Sequence, residues 1–217
     1  MHRYAAAIFD LDGTLIDTER LTIDAGVRTL RAQGHDIGHA FLTSLVGIDL
    51  TEGFRRLSAH AGPGFDVAAF DAGWAAAAKL AYATGIPLMA GVAHLLDDLA
   101  ARNLPRAVAT NSATASAHRK LAEAGLTHHF HSDHVVGYDS VPLAKPAPDV
   151  YLAAAARLGV APADCVAFED SDTGVIAALA AGMTVVHVPD MLPPGSRDAH
   201  HIAASILEGA RACGLIR

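Results

Sequence analysis

The fold of this chain is decided by residues 4–15, which read YAAAIFDLDGTL. Residues 4–9 are apolar and rich in strand-forming side chains, so they predict a short buried strand that ends at Asp10. Similar runs follow at 106–109, 134–136, 165–168 and 184–188. Helical patterns of ordinary length separate them, and this alternation is typical of βαβ units. The sequence therefore predicts an α/β protein with a doubly wound, Rossmann-like parallel sheet.

One long stretch interrupts the alternation after the first strand. Residues 18 to about 84 carry helical periodicity and no convincing strand, with Ile23, Val27 and Leu30 on one helix face. Asp66 is a plausible N-cap for a later helix that carries Phe70 on its apolar face. We expect an all-helical domain of three or four helices at 17–88, inserted into a core made of 1–16 and 89–217.

Composition excludes several classes of protein. Of the 217 residues, 52% are hydrophobic and 18% are charged, which excludes whole-chain disorder. The net charge is -7 and the 16 Lys and Arg residues are scattered, so no basic stripe is available for nucleic acid. The apolar run before Asp10 is too short for a signal peptide, and that at 174–188 is too short to span a bilayer. We expect a cytoplasmic monomer or weak homodimer that binds neither nucleic acid nor membrane.

Polar residues follow the predicted strands, at the edge of a parallel sheet where ligands bind. Asp10 and Asp12 follow the first strand, and alternation puts them on one side, where two like charges repel unless a cation or a proton intervenes. That arrangement suits a nucleophile and an acid/base, although strand-terminal turns rich in Asp and Gly are also common. Glu169 and Asp170 end an otherwise apolar strand, which a hard divalent cation would explain.

Two further segments could bind an anion. The second strand ends in Thr110, Asn111 and Ser112, which offer hydroxyl and N–H groups where the next helix begins. The same residue types are ordinary N-caps, so this signal alone is weak. Lys145 precedes Pro146 in a loop stiffened by two prolines, which could present its ammonium, although loop lysines are usually solvated.

Taken together, the four segments identify a family resemblance. They are 10–15 (DLDGTL), 110–112 (TNS), 145–149 (KPAPD) and 169–171 (EDS). In this order they resemble the motifs of the haloacid dehalogenase-like hydrolase superfamily, in its phosphatase and β-phosphoglucomutase-like branch. The helical insert resembles the cap domain that this branch carries after the first strand.

The resemblance implies a role for each motif residue. Asp10 would attack phosphorus and form an aspartyl-phosphate, and Asp12 would protonate the leaving group and then activate water. The substrate would be a small phosphorylated metabolite, such as a sugar phosphate or a phosphoglycolate-like ester. The phosphate-binding residues would be Thr110, Asn111 and Lys145, and a Mg²⁺ ion would be held by Asp10, the Asp12 carbonyl, Glu169 and Asp170.

The resemblance also ranks the possible reactions. Asp12 argues against dehalogenation and carbon–phosphorus cleavage, because relatives with those activities lack the second Asp. Mutase relatives carry a cap His a few residues beyond the first motif, and a Lys before a cap glycine with an Arg just after it. The His is missing from 17–22 and the Lys and Arg are missing from 45–50, so a phosphatase is favoured over a β-phosphoglucomutase-like mutase. A signalling module that stores a phosphoryl group on Asp is the non-enzymatic alternative. It is disfavoured because an acid/base at Asp12 promotes hydrolysis.

Other residues have simpler interpretations. A histidine-rich segment at 128–134 could suggest zinc, although alternation along a strand would divide the four rings between two faces. Cys165 is expected to be a small buried hydrophobe, Trp74 to lie in the core of the helical insert, and Arg55 and Arg56 to be solvated.

Overall fold

The computed structural model describes residues 4–46, 50–195 and 198–217. The chain divides into two compact units, one made of the described residues up to Asp17 with Pro87–Arg217, the other of Thr18–Ile86. The bounds expected from the sequence, 16/17 and 88/89, lie one and two residues from these. Residues 47–49, part of the segment compared with mutases, lie outside the described residues.

The first unit contains a parallel sheet in the order β3-β2-β1-β4-β5-β6. Its strands are β1 (Ala6–Phe9), β2 (Arg106–Thr110), β3 (Val135–Gly137), β4 (Cys165–Glu169), β5 (Thr184–His187) and β6 (His201–Ile202). All five neighbouring pairs are parallel, which confirms the predicted fold class. The sequence prediction of five strands missed β6, because two residues at a sheet edge are too short to show alternation.

Helices cover both faces of this sheet. They are α5 (Val92–Ala101), α6 (Thr114–Glu123), α7 (Asp149–Leu158), α8 (Asp172–Ala180) and α9 (Ile206–Ala212). Ala6 and Ile8 share a buried cluster with Tyr151 of α7 and Val175 of α8. Alternation turns Phe9 to the opposite face, where its ring stacks on Phe168 with centroids 5.1 Å apart. Because both faces are covered, the strands are apolar throughout and the polar groups collect at their ends.

The second unit has helices as its only regular secondary structure among the described residues. It contains α1 (Thr18–Ala32), α2 (His39–Thr43), α3 (Leu50–Ala61) and α4 (Val67–Ala83). Asp66 caps α4 by accepting a hydrogen bond from the Ala69 N–H at 3.0 Å. The Trp74 indole stacks on Phe70 and donates to the Thr22 carbonyl at 2.7 Å, which joins α4 to α1. The predicted N-cap is confirmed, whereas Trp74 packs between α4 and α1 but is half-buried rather than fully in the core.

Candidate active site at the carboxyl edge of the sheet

The site is built where β1, β2 and β4 end. In the sheet register Phe9 lies beside Val108 on one side and Phe168 on the other, so these three strands finish at nearly the same level. Asp10 follows β1 directly, Thr110 is the last residue of β2, and Glu169 is the last residue of β4. Three residues far apart in sequence therefore reach one edge of the sheet.

Lys145 connects two of the carboxylates. Its Nζ donates to Asp10 Oδ1 and to Glu169 Oε1, both at 2.6 Å. The Glu169 carboxylate also accepts hydrogen bonds from the Tyr151 hydroxyl at 2.5 Å and the Ser171 hydroxyl at 3.2 Å. The side chain of Lys145 is 4% exposed and that of Glu169 is 0% exposed, so the loop lysine is buried rather than solvated.

Burial and charge act together on these groups. Burial raises the pKa of the Asp10 carboxyl to about 8, opposed by the Lys145 ammonium and reinforced by repulsion from Glu169. Burial also acts to lower the pKa of Lys145, but the carboxylates of Asp10 and Glu169 outweigh it and raise the pKa above its usual range. Lys145 therefore stays protonated, and its positive charge offsets part of the cost of burying the carboxylates.

The residues after β2 are held by hydrogen bonds of their own. The Asn111 side chain brackets the Lys145 backbone, because its Oδ1 accepts from the Lys145 N–H at 2.9 Å and its Nδ2 donates to the Lys145 carbonyl at 3.2 Å. The buried Thr110 hydroxyl accepts from the Ser112 N–H at 3.0 Å. The Asn111 amide thus fixes the lysine loop, a role that sequence reasoning did not assign to it.

A metal ion could be held beside Asp10. Asp10, Glu169 and Asp170 each offer a carboxylate oxygen, and these atoms lie within 4.8 Å of one another. Asp170 Oδ1 accepts a hydrogen bond from the Thr14 hydroxyl at 3.2 Å, and a Cβ at Gly13 would overlap the Asp170 carboxyl group. Lys145 contacts Asp10 and Glu169, so one ammonium cannot balance the charge of all three carboxylates when they are ionised. Oxygen ligands of that kind fit a hard divalent cation.

The Asp12 side chain lies in a different group of residues. Its carboxylate accepts from the Ser112 hydroxyl at 2.8 Å and from Lys120 Nζ at 2.7 and 2.9 Å. The side chain of Asp12 is 27% exposed, in contrast to 10% for Asp10. Asp10 and Asp12 are two residues apart in sequence but have different surroundings. Lys145 contacts Asp10, and Lys120 contacts Asp12.

Gly174 is the residue that makes room for Glu169. It lies in the first turn of α8, and a Cβ there would overlap the Glu169 carboxyl group. Glu169 cannot move aside easily because it is fully buried and hydrogen-bonded by Lys145 and Tyr151. Sequence reasoning missed Gly174 and Tyr151, since a glycine in a helix and an aromatic on an apolar face carry no chemical signal by themselves.

We expect Gly174→Ala to lower the free energy of unfolding by about 1–3 kcal/mol, the usual cost of overpacking a filled site. Gly53→Ala is the matched control, because a Cβ at that helical position of α3 would enter open space. The control should stabilise by about 0.5–1 kcal/mol through the higher helix propensity of Ala. Urea denaturation of both variants measures the difference. Equal effects in the two variants would contradict the packing role of Gly174.

The other residues considered in the sequence analysis lie outside this site. Across the described ranges, the cluster of Asp10, Glu169 and Asp170 is the only group of three or more His, Cys, Asp or Glu side chains close enough to share a metal ion. The histidine-rich segment therefore forms no such group there. Cys165 is buried in β4, and burial raises its pKa to about 11, which disfavours the thiolate. Arg55 and Arg56 pair with Glu52 on an exposed helix face.

The chain belongs to the haloacid dehalogenase-like hydrolase family, which matches residues 4–182. It is therefore an enzyme, and the resemblance of its motifs is confirmed. None of the helices in the described part of the chain is long and apolar enough to cross a membrane.

Individual relatives match this chain over most of its length. The fructose-1-phosphate phosphatase YqaB of Escherichia coli is 38% identical over 190 residues, covering 86% of this chain and 97% of the relative. The protein CbbY of Rhodobacter capsulatus is 36% identical over 193 residues, covering 85% of each. A haloacid dehalogenase family hydrolase of Deinococcus radiodurans, solved with bound phosphate and sodium, superposes with a TM-score of 0.80 at 28% identity, covering 98% of this chain and 96% of that one.

Proposed function

We propose that this hydrolase is a phosphatase that cleaves a small phosphate monoester through an aspartyl-phosphate on Asp10. The observation that carries the proposal is the Asp10 carboxylate at the end of β1, held by Lys145 and adjoined by the carboxylates of Glu169 and Asp170. A phosphoryl group needs an in-line nucleophile and neutralised charge more than elaborate covalent chemistry, and this arrangement offers both. Similarity to a fructose-1-phosphate phosphatase favours a sugar phosphate as the substrate.

The residues divide the reaction between them. Asp10 attacks phosphorus, and Asp12 donates a proton to the departing oxygen and later accepts one from the water that hydrolyses the aspartyl-phosphate. The Lys145 ammonium and the Thr110 hydroxyl bind the phosphate oxygens. The Asn111 side chain is engaged with the Lys145 backbone, so Asn111 offers the phosphate its main-chain N–H.

The metal ion in this proposal is Mg²⁺. Asp10 and Asp170 would hold it together with Glu169 and the Asp12 carbonyl, a set of oxygen ligands that suits this cation. When bound, Mg²⁺ supplies positive charge to the phosphoryl oxygens. The hydrogen bonds that Glu169 accepts from Lys145, Tyr151 and Ser171 fix its carboxylate for either direct or water-mediated coordination.

We also assign the helical unit, Thr18–Ile86, to substrate selection as a cap. It is inserted directly after the residues that carry Asp10 and Asp12, and none of its described residues belongs to the carboxylate cluster at the sheet edge. A separate unit of this kind can vary without disturbing the residues that perform the chemistry. The choice among phosphate esters would then depend on the side chains of this unit.

The proposed function is tested by assaying the wild-type protein with a panel of sugar phosphates and phosphoglycolate in the presence of Mg²⁺. We expect inorganic phosphate and alcohol to be released in equal amounts, with no requirement for a sugar bisphosphate. Chelation by EDTA should abolish turnover, and excess Ca²⁺ should inhibit it, because Ca²⁺ accepts more ligands at longer distances.

Two outcomes would replace the proposal with an alternative. Isomerisation of a hexose phosphate without release of inorganic phosphate would identify a mutase. A phosphoryl group that persisted on Asp10 for hours without turnover would identify a phosphoryl-storage module. Full turnover in EDTA would contradict the metal requirement alone.

A further inference from the structure

Lys120 forms a three-membered cluster with Asp12 and Ser112. Its Nζ donates to both oxygens of the Asp12 carboxylate, at 2.7 and 2.9 Å, and to Ser112 Oγ at 2.9 Å. Ser112 in turn donates its hydroxyl proton to Asp12 Oδ2 at 2.8 Å. Each member of this Lys120 cluster thus contacts the other two, and the lysine side chain is only 12% exposed.

The position of Lys120 on its helix explains how it reaches Asp12. Lys120 lies in the last turn of α6, whereas Ser112 precedes the first residue of that helix. Helical side chains incline toward the N-terminus, so a long side chain from this turn extends back along α6 toward the end of β2. An ammonium in the last turn of a helix would ordinarily remain near the C-terminal carbonyls, where the helix dipole favours it. The contact between Lys120 Nζ and Asp12 is therefore set by the tertiary structure and not by the helix dipole.

The two lysines of the site have separate partners. Lys145 contacts Asp10 and Glu169 in the buried cluster, whereas Lys120 contacts Asp12, which is more exposed. A partly exposed carboxylate can occupy several rotamers unless neighbouring groups select one. Contacts to both of its oxygens leave the Asp12 carboxylate little freedom to rotate.

We propose that Lys120 is a positioning residue that holds the Asp12 carboxylate where it meets the leaving-group oxygen, an inference that rests on the proposed phosphatase function. Proton transfer requires donor and acceptor within hydrogen-bond reach, so loss of this constraint slows the step that Asp12 performs. Lys120 makes its contribution through Asp12, and Lys145 remains the lysine that binds the phosphate.

The test replaces Lys120 by Met, which keeps the length of the side chain and removes its charge. We expect kcat/KM for an alkyl phosphate to fall about 30-fold, because its leaving group needs a proton from a well-placed acid. For p-nitrophenyl phosphate, whose leaving group departs unaided, kcat/KM should fall less than about 3-fold, because this ratio does not include the later hydrolysis of the aspartyl-phosphate, in which Asp12 also acts. Lys120→Arg should retain most of the alkyl phosphate activity, since it keeps the positive charge.

A double-mutant cycle separates positioning from general damage to the fold. In an Asp12→Ala background, Lys120→Met should cost no further activity toward p-nitrophenyl phosphate, because the residue through which it acts is gone. Arg119→Met is the matched control. It removes a positive charge from the neighbouring, exposed position on α6 and should leave both activities unchanged.

The outcomes are distinguishable. Equal losses of kcat/KM on both esters, or a further loss in the Asp12→Ala background, would overturn the positioning role while leaving the phosphatase function intact. A wild-type protein that hydrolyses no phosphate monoester would overturn the proposed function and this inference with it. A selective loss on alkyl phosphates that Lys120→Arg restores would support the inference.

Discussion

Replacing Asp10 by Asn is expected to lower kcat by about 10⁴-fold or more, the usual consequence of removing a covalent nucleophile. The amide is nearly the same shape as the carboxylate, but it is a poor nucleophile and carries no charge for a metal ion. Geometry should change little, because the amide oxygen can still accept the hydrogen bond from Lys145 Nζ that now measures 2.6 Å. Steady-state assays of phosphate release, with thermal unfolding as a check of the fold, measure the effect.

Asp133→Asn provides the control for this experiment. The Asp133 side chain is 83% exposed, lies outside the carboxylate cluster and belongs to the same compact unit. Its replacement makes the same chemical change on the surface and should leave kcat within about 2-fold, as for most exposed positions. An Asp10→Asn variant that kept more than a tenth of the wild-type kcat would contradict the assignment of Asp10 as the nucleophile.

Replacing Asp12 by Asn should lower kcat/KM for alkyl phosphates by about 10³-fold, within the range that general acid–base catalysis contributes. The loss of kcat/KM for p-nitrophenyl phosphate should be smaller, because p-nitrophenolate leaves without a proton and this ratio does not include hydrolysis of the aspartyl-phosphate. The amide that replaces the carboxylate would still offer an oxygen to Lys120 and Ser112, so the change removes proton transfer while keeping much of the local geometry. Comparing the two esters separates a chemical loss from a structural one.

The same variant should accumulate the aspartyl-phosphate. Water is activated less well without the Asp12 carboxylate, so the second half of the reaction slows and phosphorylated protein should be detectable by mass spectrometry after an acid quench. Asp133→Asn serves again as the control and should show no accumulation. Equal losses on both esters, without trapped phosphoprotein, would argue that Asp12 has only a structural role.

Much of the fold follows from local pattern. Five apolar runs, each ending in polar residues, predict parallel strands because both faces of such strands are buried and only their ends are free to carry charge. The rule that carboxyl ends of parallel strands meet at one edge then predicts that Asp10, Thr110 and Glu169 come together. Local pattern also predicts the helical insert, since its apolar residues follow the helical repeat over the described parts of 18–86.

Other features depend on contacts that no local pattern specifies. Strand β6 is two residues long and exists because it pairs with β5 at the sheet edge. Tyr151 looks like an ordinary member of an apolar helix face, yet its hydroxyl donates to Glu169. Glycine is required at position 174 only because the Glu169 carboxyl group occupies the space that a Cβ would need.

The sequence by itself determined the α/β class, the helical insert and the identity of the motif residues, because periodicity and strand-end polarity are properties of neighbouring residues. The tertiary structure decided which groups those residues contact. It paired Lys145 with Asp10 and Glu169, used the Asn111 amide to hold the Lys145 loop, and brought Lys120 to Asp12 across 108 positions of sequence. Such contacts depend on the packing of helices against the sheet, which fixes distances between residues that the linear sequence leaves far apart.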